Sequence, residues 1–345
     1  MAQDTGKQID LGLMGLGHWP RQAYLPVLKE RSDVRVVAVS VRSEATRRFA
    51  REQFGADVRL HADYHELAND PDVDAVAIAL PNEQHADAIE AALAANKHVF
   101  FEPPIALTLA DTRRVFARMA ASNRIVQSDL ELRCLPVLGA VRDLLATGRI
   151  GEPLTARIRL WCDWGAGPEM PFAYAEDQGF FLWLGCWYLD VLDFLFEASP
   201  THAAVTGGYA MNGRLMDHGW ANLTYPDGRI GQFEFSLVAV EGTDITLHVA
   251  GTRGEIEADL ENGTYRWRQK DAPFRQADAP ASRPACGFVG MRESIIDFLT
   301  AVRTGRPPRA DLEATRRVHE AAFACAQAEA DHRRVPIPPL SDRKT

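Results

Sequence analysis

A glycine-rich turn near the N-terminus constrains this chain more than any other feature. Residues 9–20 read IDLGLMGLGHWP, an apolar run that leads into Gly15 and Gly17 and then into a helical segment. Because neither glycine has a Cβ, the backbone there can turn sharply and approach a pyrophosphate. The N–H groups of His18 and Trp19 at the helix start would face that anion. The pattern predicts the first strand, turn and helix of a dinucleotide-binding unit, with a purely structural turn as the alternative.

The usual pattern has a third glycine, and in this chain Pro20 occupies that position. Proline is tolerated in the first turn of a helix, so the helix itself is expected to form. The close helix-to-strand packing that the third glycine permits is weakened. The motif is therefore weak evidence alone, and the segments that follow have to support it.

The composition limits the class of protein. A chain of 345 residues suggests two domains, and 46% hydrophobic with 25% charged residues is typical of globular proteins. A net charge of −9 argues against nucleic-acid binding. Five scattered cysteines predict reduced thiols in a cytoplasmic protein. The sequence has neither a signal-peptide pattern nor an apolar run long enough to span a membrane.

Residues 1–127 alternate between continuous apolar runs and helical segments, which predicts an α/β domain with a doubly wound parallel sheet. The predicted strands after the first cover residues 34–39, 75–80, 98–101 and 125–127, and the helices cover 44–55, 64–69, 84–95 and 108–122. Thr108 and Asp111 have the spacing of a helix-capping box. Ligands of such sheets bind outside the carboxyl ends of the strands, which gathers residues 15–17, 40–43, 80–85, 102–104 and 128–133 into one crevice.

The segment after the second strand bears on the choice of cofactor. NAD-binding domains usually place a carboxylate there to hold the ribose 2′-hydroxyl. Here residues 40–43 read SVRS, so that Arg42 and Ser43 stand where the carboxylate is expected. A nearby arginine favours a 2′-phosphate, and we predict NADP(H) over NAD(H). The alternative is that Arg42 is a solvated surface charge and that no dinucleotide binds.

Residues 128–345 form the predicted second domain, an α+β unit with a large, mostly antiparallel sheet and helices on one face. The predicted strands cover residues 154–161, 203–209, 219–225, 229–238, 243–250, 254–259 and 264–268, and the helices cover 138–147, 179–196, 291–303 and 311–331. Residues 272–286 are predicted to be a surface loop. Apolar residues on an open sheet face would drive assembly into a homodimer or homotetramer.

Several motifs together resemble the Gfo/Idh/MocA oxidoreductases, a family named for glucose-fructose oxidoreductase and inositol dehydrogenase. The resemblance runs nearly end to end. It is carried by residues 15–17, by Leu80, Pro81 and Asn82 with His85, by residues 97–99 leading to Glu102, by Arg133 with Pro136, by residues 148–153, and by residues 179–190. The resemblance implies a Rossmann domain, a substrate domain, a bound NAD(P) and hydride transfer on sugars, cyclitols and related small molecules.

The catalytic positions implied by the resemblance are altered in this chain. The family pattern Glu-Lys-Pro after the fifth strand, whose lysine lies near the nicotinamide, is here Glu102 followed by Pro103 and another proline. The aspartate and histidine that family members carry four residues apart correspond to Trp183 and Trp187. The later carboxylate, Asp190, is retained.

These replacements remove the groups that would take a proton during alcohol oxidation, because neither proline nor indole titrates usefully. Trp183 and Trp187 would instead form an apolar wall suited to a flat, hydrophobic or cationic ligand. Simple core packing of each tryptophan is the equally weighted alternative.

Glu102, Tyr188 and Asp190 remain as candidate catalytic groups, and Arg133 as a candidate ligand for an acidic substrate or a partner of Glu131. His85 is expected to face the crevice. No metal-ligand spacing is present.

Three functions are compatible with these residues. The first is an NADPH-dependent reductase of a C=N or C=C bond in a hydrophobic or cyclic small molecule, because an iminium is already electrophilic and needs less help from a base. The second is a non-redox enzyme, a cyclase or lyase, on the same scaffold. The third is a catalytically silent binding protein. Fold alone does not decide between them.

Overall fold

A computed structural model describes residues 6, 8–163, 179–211, 215–239, 242–282 and 289–340. These residues belong to two compact units. The first contains the described residues up to Glu131, together with residues 289–315 and 340, and the second contains residues 132–282 and 316–339. Across the described residues, no helix has both the length and the apolar character to cross a membrane.

The first unit is built on a parallel sheet of six strands in the order β3-β2-β1-β4-β5-β6. This order is that of a doubly wound dinucleotide-binding domain, as the sequence predicts. The strands are β1 (Ile9–Met14), β2 (Val34–Ser40), β3 (Arg59–His61), β4 (Ala75–Ile78), β5 (His98–Phe101) and β6 (Val126–Ser128). The helices are α1 (His18–Lys29), α2 (Glu44–Phe54), α3 (Tyr64–Ala68), α4 (His85–Ala94), α5 (Leu109–Ala121) and, much later in the chain, α8 (Met291–Thr304).

The start of α5 shows the predicted capping box. The Thr108 hydroxyl accepts a hydrogen bond from the Asp111 backbone N–H at 3.1 Å and donates to the Asp111 carboxylate at 2.7 Å. These bonds satisfy a backbone donor that has no partner within the helix, and they fix where α5 begins.

The second unit is built on a sheet of nine strands in the order β14-β13-β12-β11-β7-β10-β9-β8-β15. Only β7 and β10 pair in parallel among these described strands. The strands are β7 (Pro153–Cys162), β8 (His202–Gly208), β9 (His218–Thr224), β10 (Ile230–Ser236), β11 (Thr243–Gly251), β12 (Gly254–Asp259), β13 (Thr264–Gln269), β14 (Arg275–Asp278) and β15 (Val335–Pro336). The helices are α6 (Pro136–Ala146), α7 (Cys186–Phe196) and most of α9 (Leu312–Asp331). A π-helical turn at Phe181–Gly185 directly precedes α7.

One face of the second sheet is packed with aromatic rings. Phe180 stacks on Phe235 with ring centroids 3.9 Å apart, and both rings lie against Phe233. The opposite face is mostly charged rather than apolar, with ion pairs such as Arg159–Asp244 at 2.6 Å, although Trp220 is 45% exposed there. Paired charges therefore share this face with exposed apolar side chains, and assembly through it stays a prediction.

Two sequence expectations are wrong, one about a domain limit and one about a loop. The helix α8 belongs to the first unit rather than the second, because Met291, Ile295 and Phe298 are buried in the same core cluster as strand β1. The predicted loop at 272–286 contains strand β14, which pairs with β13, and residues 283–286 of it lie outside the described residues. The cysteine prediction agrees with the part of the chain that is described, where Cys134, Cys162, Cys186 and Cys325 are buried and unbridged.

We expect Phe298→Ala to destabilise the first unit by about 3 kcal/mol, because the ring is 2% exposed and lies 5.4 Å from the Phe100 ring. Thermal or chemical unfolding measures this change. Phe274→Ala, the same substitution at a half-buried position, is the control and should cost less than half as much. Equal effects of the two substitutions would show that α8 is not part of that core.

Candidate active site

The turn after β1 has the form of a pyrophosphate cradle. Gly15 has a φ of 95°, and a Cβ at this position would lie 2.5 Å from the Ala79 carbonyl oxygen, so only glycine fits there. A Cβ on Gly17 would meet no heavy atom of the described residues within 4 Å. Gly17 precedes α1, and no side chain caps that helix. The turn therefore offers open space and the N–H groups of a helix N-terminus, starting with the exposed His18, to an anion.

A cavity of about 270 Å³ lies beside this turn and is closed by the loops after β2 and β4. Leu80, Pro81 and Gln84, all from the segment 80–85 that the sequence analysis places in the crevice, line it. The remaining lining residues are Gly15, Leu16, Gly17, Ser40, Val41, Arg42, Thr46, Ala62 and Tyr64. These residues fit the ribose and phosphate portions of a dinucleotide in size and chemistry.

Arg42 and Ser43 have different environments at the rim of this cavity. Arg42 is exposed, and no described residue forms an ion pair with it. The Ser43 hydroxyl instead caps α2 by accepting the Thr46 N–H at 3.1 Å. Of the two, only Arg42 has a side chain that could turn to a bound phosphate without losing a structural bond.

His85 does not line the cavity, contrary to the expectation from sequence. The ring is fully buried, with Nδ1 2.8 Å from the Pro104 carbonyl oxygen and Nε2 2.9 Å from the Leu80 carbonyl oxygen. Burial lowers the pKa of His85. The side chain therefore joins the loops after β4 and β5, and its role is to position them. Asn82, in the turn before α4, is also absent from the lining residues.

Glu102 follows β5 directly and is the centre of a buried polar cluster. Its Oε1 accepts hydrogen bonds from Trp19 Nε1 at 2.7 Å and from the Tyr24 hydroxyl. Trp19 thus contacts the acid through its indole N–H, while Pro103, the position of the missing lysine, is buried. Glu102 is 8% exposed, and burial raises its pKa to about 7. A carboxyl with this pKa can hold or release a proton near neutral pH.

Asp129 follows β6, the neighbouring strand, and joins the same cluster. Its Oδ1 accepts a hydrogen bond from the Ser294 hydroxyl at 2.6 Å. Burial raises the pKa of Asp129 well above its ordinary value, and the charges of Glu131 and Glu102 raise it further. Sequence analysis places Asp129 and Glu131 in the crevice but assigns neither of them a catalytic role. It misses Tyr24 and Ser294, which reach the cluster from distant helices.

The second unit contains the tryptophan helix, by which we mean the π-helical turn with Trp183 and the helix α7 that follows it with Trp187. Trp183 and Trp187 are half-buried, so neither is a fully buried core residue. The indole Nε1 of Trp187 is buried and has no hydrogen-bond partner among the described residues. Tyr188, by contrast, is 3% exposed and stacks on Phe233 with ring centroids 4.8 Å apart. This packing makes Tyr188 a core residue rather than the catalytic group that the sequence analysis expects.

Asp190 and Arg133 form a buried ion pair in the same unit. Arg133 Nε donates to Asp190 Oδ2 at 2.9 Å and Nη2 donates to Oδ1, and Asp190 is fully buried. This two-point pairing occupies both charges. It removes Asp190 from the catalytic candidates and Arg133 from the candidate substrate ligands, and the predicted pairing of Arg133 with Glu131 is replaced by this one.

One group of possible metal ligands occurs among the described residues. His248, Glu255 and Glu257 lie close together on β11 and β12. However, His248 Nε2 is 2.7 Å from Glu255 Oε2, and Arg266 and Arg268 pair with Glu257 and Glu255. These arginines already neutralise the carboxylates, so the group lacks the free negative charge that a cation requires.

Comparison with known proteins agrees with this architecture. A family model described as "Oxidoreductase family, NAD-binding Rossmann fold" matches residues 9–130, and one described as "GFO/IDH/MocA C-terminal domain" matches residues 139–257. The uncharacterized oxidoreductase YrbE of Bacillus subtilis is 26% identical over 77% of this chain and 80% of its own length. Myo-inositol 2-dehydrogenase of Thermotoga maritima is 26% identical over 86% of this chain and 89% of its own length. The fold is similar to a levoglucosan dehydrogenase structure in complex with NADH (TM-score 0.85, 20% identity, 96% and 100% coverage).

We expect Asp190→Asn to lower the free energy of unfolding by about 3–5 kcal/mol, because the substitution leaves the Arg133 guanidinium buried without its counter-charge. Replacing both partners, as Arg133→Met with Asp190→Leu, should recover most of that loss. Chemical denaturation of the single and double variants measures the difference. A single variant as stable as the wild type would contradict a structural role for the pair.

Proposed function

The chain belongs to the Gfo/Idh/MocA family of NAD-binding oxidoreductases, and we propose that it is an NADP(H)-dependent reductase of a C=N or C=C bond. Its substrate is a small flat or cyclic molecule of apolar or cationic character. The observation that carries this proposal is Glu102, a buried carboxyl that is partly protonated near neutral pH. Glu102 directly precedes Pro103, the position at which the family pattern has a lysine.

The turn after β1 supplies the cofactor site in this proposal. Gly15, Gly17 and the first N–H groups of α1 would hold the pyrophosphate, and Leu80 and Pro81 would form one wall. Arg42 would bind a 2′-phosphate, since residues 40–43 contain no carboxylate that would repel it. When bound, the dinucleotide supplies the hydride.

Reduction of a double bond consumes one hydride and one proton, and this chain provides the proton from Glu102. The hydrogen bonds from Trp19 and Tyr24 occupy Oε1, so the proton of neutral Glu102 lies on Oε2. A carboxylic acid with a pKa near the working pH is an effective general acid. A neutral imine that Glu102 protonates to the iminium, or a polarised alkene whose carbanion Glu102 protonates, accepts hydride without a base, so the absence of the lysine does not prevent this reaction.

The tryptophan helix supports the proposed substrate class. Half-buried indoles at 183 and 187 offer π-faces to a planar ring or to a cation. A polyol would leave most of its hydroxyl groups unpaired against such a surface, whereas a ring with few polar atoms would not.

We expect the wild type to bind NADPH more tightly than NADH, and Arg42→Ala to weaken NADPH binding about tenfold while leaving NADH unchanged. The reason is the loss of a charge-assisted hydrogen bond to the 2′-phosphate, worth about 1.5 kcal/mol. Nicotinamide fluorescence titration measures both dissociation constants. Arg48→Ala, at another exposed arginine on α2, is the control and should change neither. Failure of the wild type to bind either nucleotide would leave a cyclase, a lyase or a binding protein on this scaffold.

We expect the rate of reduction to fall as the pH rises through about 7, because only neutral Glu102 can donate a proton. Glu102→Gln keeps an oxygen that accepts from Trp19 and Tyr24 but has no acidic proton, and it should lower kcat about 10²-fold or more and abolish this pH step. Glu83→Gln, an exposed carboxyl in the turn before α4, is the control and should retain the step. A Glu102→Gln enzyme with the wild-type pH profile would exclude Glu102 as the proton donor.

A further inference from the structure

A second cavity, of about 360 Å³, lies at the edge of the first unit's sheet opposite to the glycine turn. The glycine turn follows the end of β1, whereas the residues that line this cavity come from the starts of β1, β4, β5 and β6 and from the end of α8. Parallel strands start along one edge of a sheet and end along the other. The cavity is therefore separate from the candidate cofactor site, and the proposed reductase mechanism does not use it.

Positive charge predominates on the lining of this cavity, which we call the basic pocket. Among the described residues its lining contains three cations and one carboxylate, namely Lys97, Arg124, Arg303 and Asp74. Arg303 is already paired with Asp33. Neither Lys97 nor Arg124 has a carboxylate of the described chain within ion-pair distance. Two positive charges at this edge of the sheet therefore lack a counter-charge in the described structure.

Lys97 is the more buried of these two cations. The residue is 8% exposed, and its Nζ donates to the carbonyl oxygens of Asp70 and Val73, each at 2.7 Å. An ammonium group has three N–H donors, so these two bonds leave one donor for a ligand. Burial lowers the pKa of Lys97, because a charge removed from water is unfavourable unless an opposite charge balances it. An anion in the basic pocket would supply that balance.

Arg124 is held so that its terminal nitrogens stay available. Asn96, in the turn before β5, accepts a hydrogen bond from Arg124 Nε at 2.7 Å. This bond fixes the orientation of the guanidinium group. No acceptor in the part of the chain that the structure describes takes a hydrogen bond from Nη1 or Nη2. The two terminal nitrogens can therefore donate to a ligand without losing a structural bond.

His98 adds a neutral donor to the same lining. Its Nδ1 accepts a hydrogen bond from the Ile125 backbone N–H at 3.0 Å, which also places the neighbouring Arg124 beside residues 97 and 98. Burial, together with the charge of Arg124, lowers the pKa of His98 to about 4, so the ring is neutral at physiological pH. Because Nδ1 is the acceptor, the proton of the neutral ring is on Nε2. No described residue accepts a hydrogen bond from Nε2.

We propose that the basic pocket is a second ligand site, which binds a small metabolite through a phosphoryl group. Near neutral pH a phosphoryl group carries almost two negative charges and three acceptor oxygens. These properties match two cations without a counter-charge and one neutral N–H donor, and arginine and lysine are both common phosphate ligands. The cavity has room for further atoms of the metabolite. Asp74 on the same lining disfavours a second anionic group, so the rest of the ligand is uncharged or cationic.

Nitrogen-15 NMR of the histidine rings in the full chain tests the site directly, because one histidine reports on each cavity. His98 lines the basic pocket, and the exposed His18 directly follows Gly17 at the glycine turn. We expect inorganic phosphate to shift the His98 Nε2 signal with a dissociation constant of about 1 mM or below, with and without NADPH. His98→Gln identifies that signal.

Succinate, which distributes its two charges over two carboxylates, is the comparison ligand and should shift the His98 signal at least about tenfold more weakly. Equal effects of succinate and phosphate would overturn the assignment to a phosphoryl group. No shift of His98 by phosphate, or a shift of His18 alone, would overturn the site. Neither result depends on whether any variant folds or on whether the chain is a reductase.

Variants of Arg124 test the contribution of its charge. Arg124→Ala should weaken phosphate binding about tenfold, because it removes charge-assisted hydrogen bonds to the phosphoryl oxygens. Arg124→Lys keeps the charge without the two-nitrogen fork and should lose less. Arg118→Ala, at an exposed arginine on α5, is the matched control and should bind phosphate as the wild type does. Unchanged phosphate binding in Arg124→Ala would overturn the proposal.

Discussion

Removing the Glu102 carboxyl from water is costly unless its oxygens find donors, and one helix supplies two of them. Trp19 and Tyr24 both lie on α1 and both donate to Oε1. The same helix begins at His18, directly after Gly17 and next to the turn that would hold a pyrophosphate. The bonds at Glu102 therefore hold α1 against the end of β5 and, through it, fix the glycine turn. The position of Glu102 and the geometry of the glycine turn therefore depend on each other.

Most elements of the fold were predictable because each has a local signal. Alternation of apolar runs and helical segments predicts the parallel sheet of the first unit, and the two adjacent strands predicted over residues 219–225 and 229–238 form the antiparallel pair β9–β10. The parallel pairing of β7 with β10 and the membership of α8 in the first unit have no such signal. Both depend on contacts between residues far apart in sequence, which neither periodicity nor turn chemistry contains.

In the candidate site, too, features with a local sequence signal were predictable and contacts between residues far apart in sequence were not. Gly15 was predictable because a positive φ and a close backbone contact fix the residue type, and Leu80 and Pro81 because strand ends meet at one edge of the sheet. The bonds of Glu102 to Tyr24 and of Asp129 to Ser294 span 78 and 165 residues and were not predictable. Sequence analysis offers Asp190 as a catalytic group and Arg133 as a substrate ligand or a partner of Glu131, but their mutual pairing, which gives them a structural role, appears only in three dimensions.

Three buried carboxyls in this chain show how the surroundings decide between structure and chemistry. Asp190 forms a two-point ion pair with Arg133, which engages both of its carboxylate oxygens. Asp193 and Glu102 take their hydrogen bonds from tyrosine or tryptophan, and the pKa of each is raised to about 7. Asp193 is 1% exposed within the second unit, whereas Glu102 is 8% exposed and ends a strand at the ligand-binding edge of a doubly wound sheet. Burial raises the pKa of both carboxyls towards neutrality, although the hydrogen bonds from tyrosine and tryptophan act in the opposite direction. The position at a strand end distinguishes Glu102 as the one near the expected ligand-binding edge.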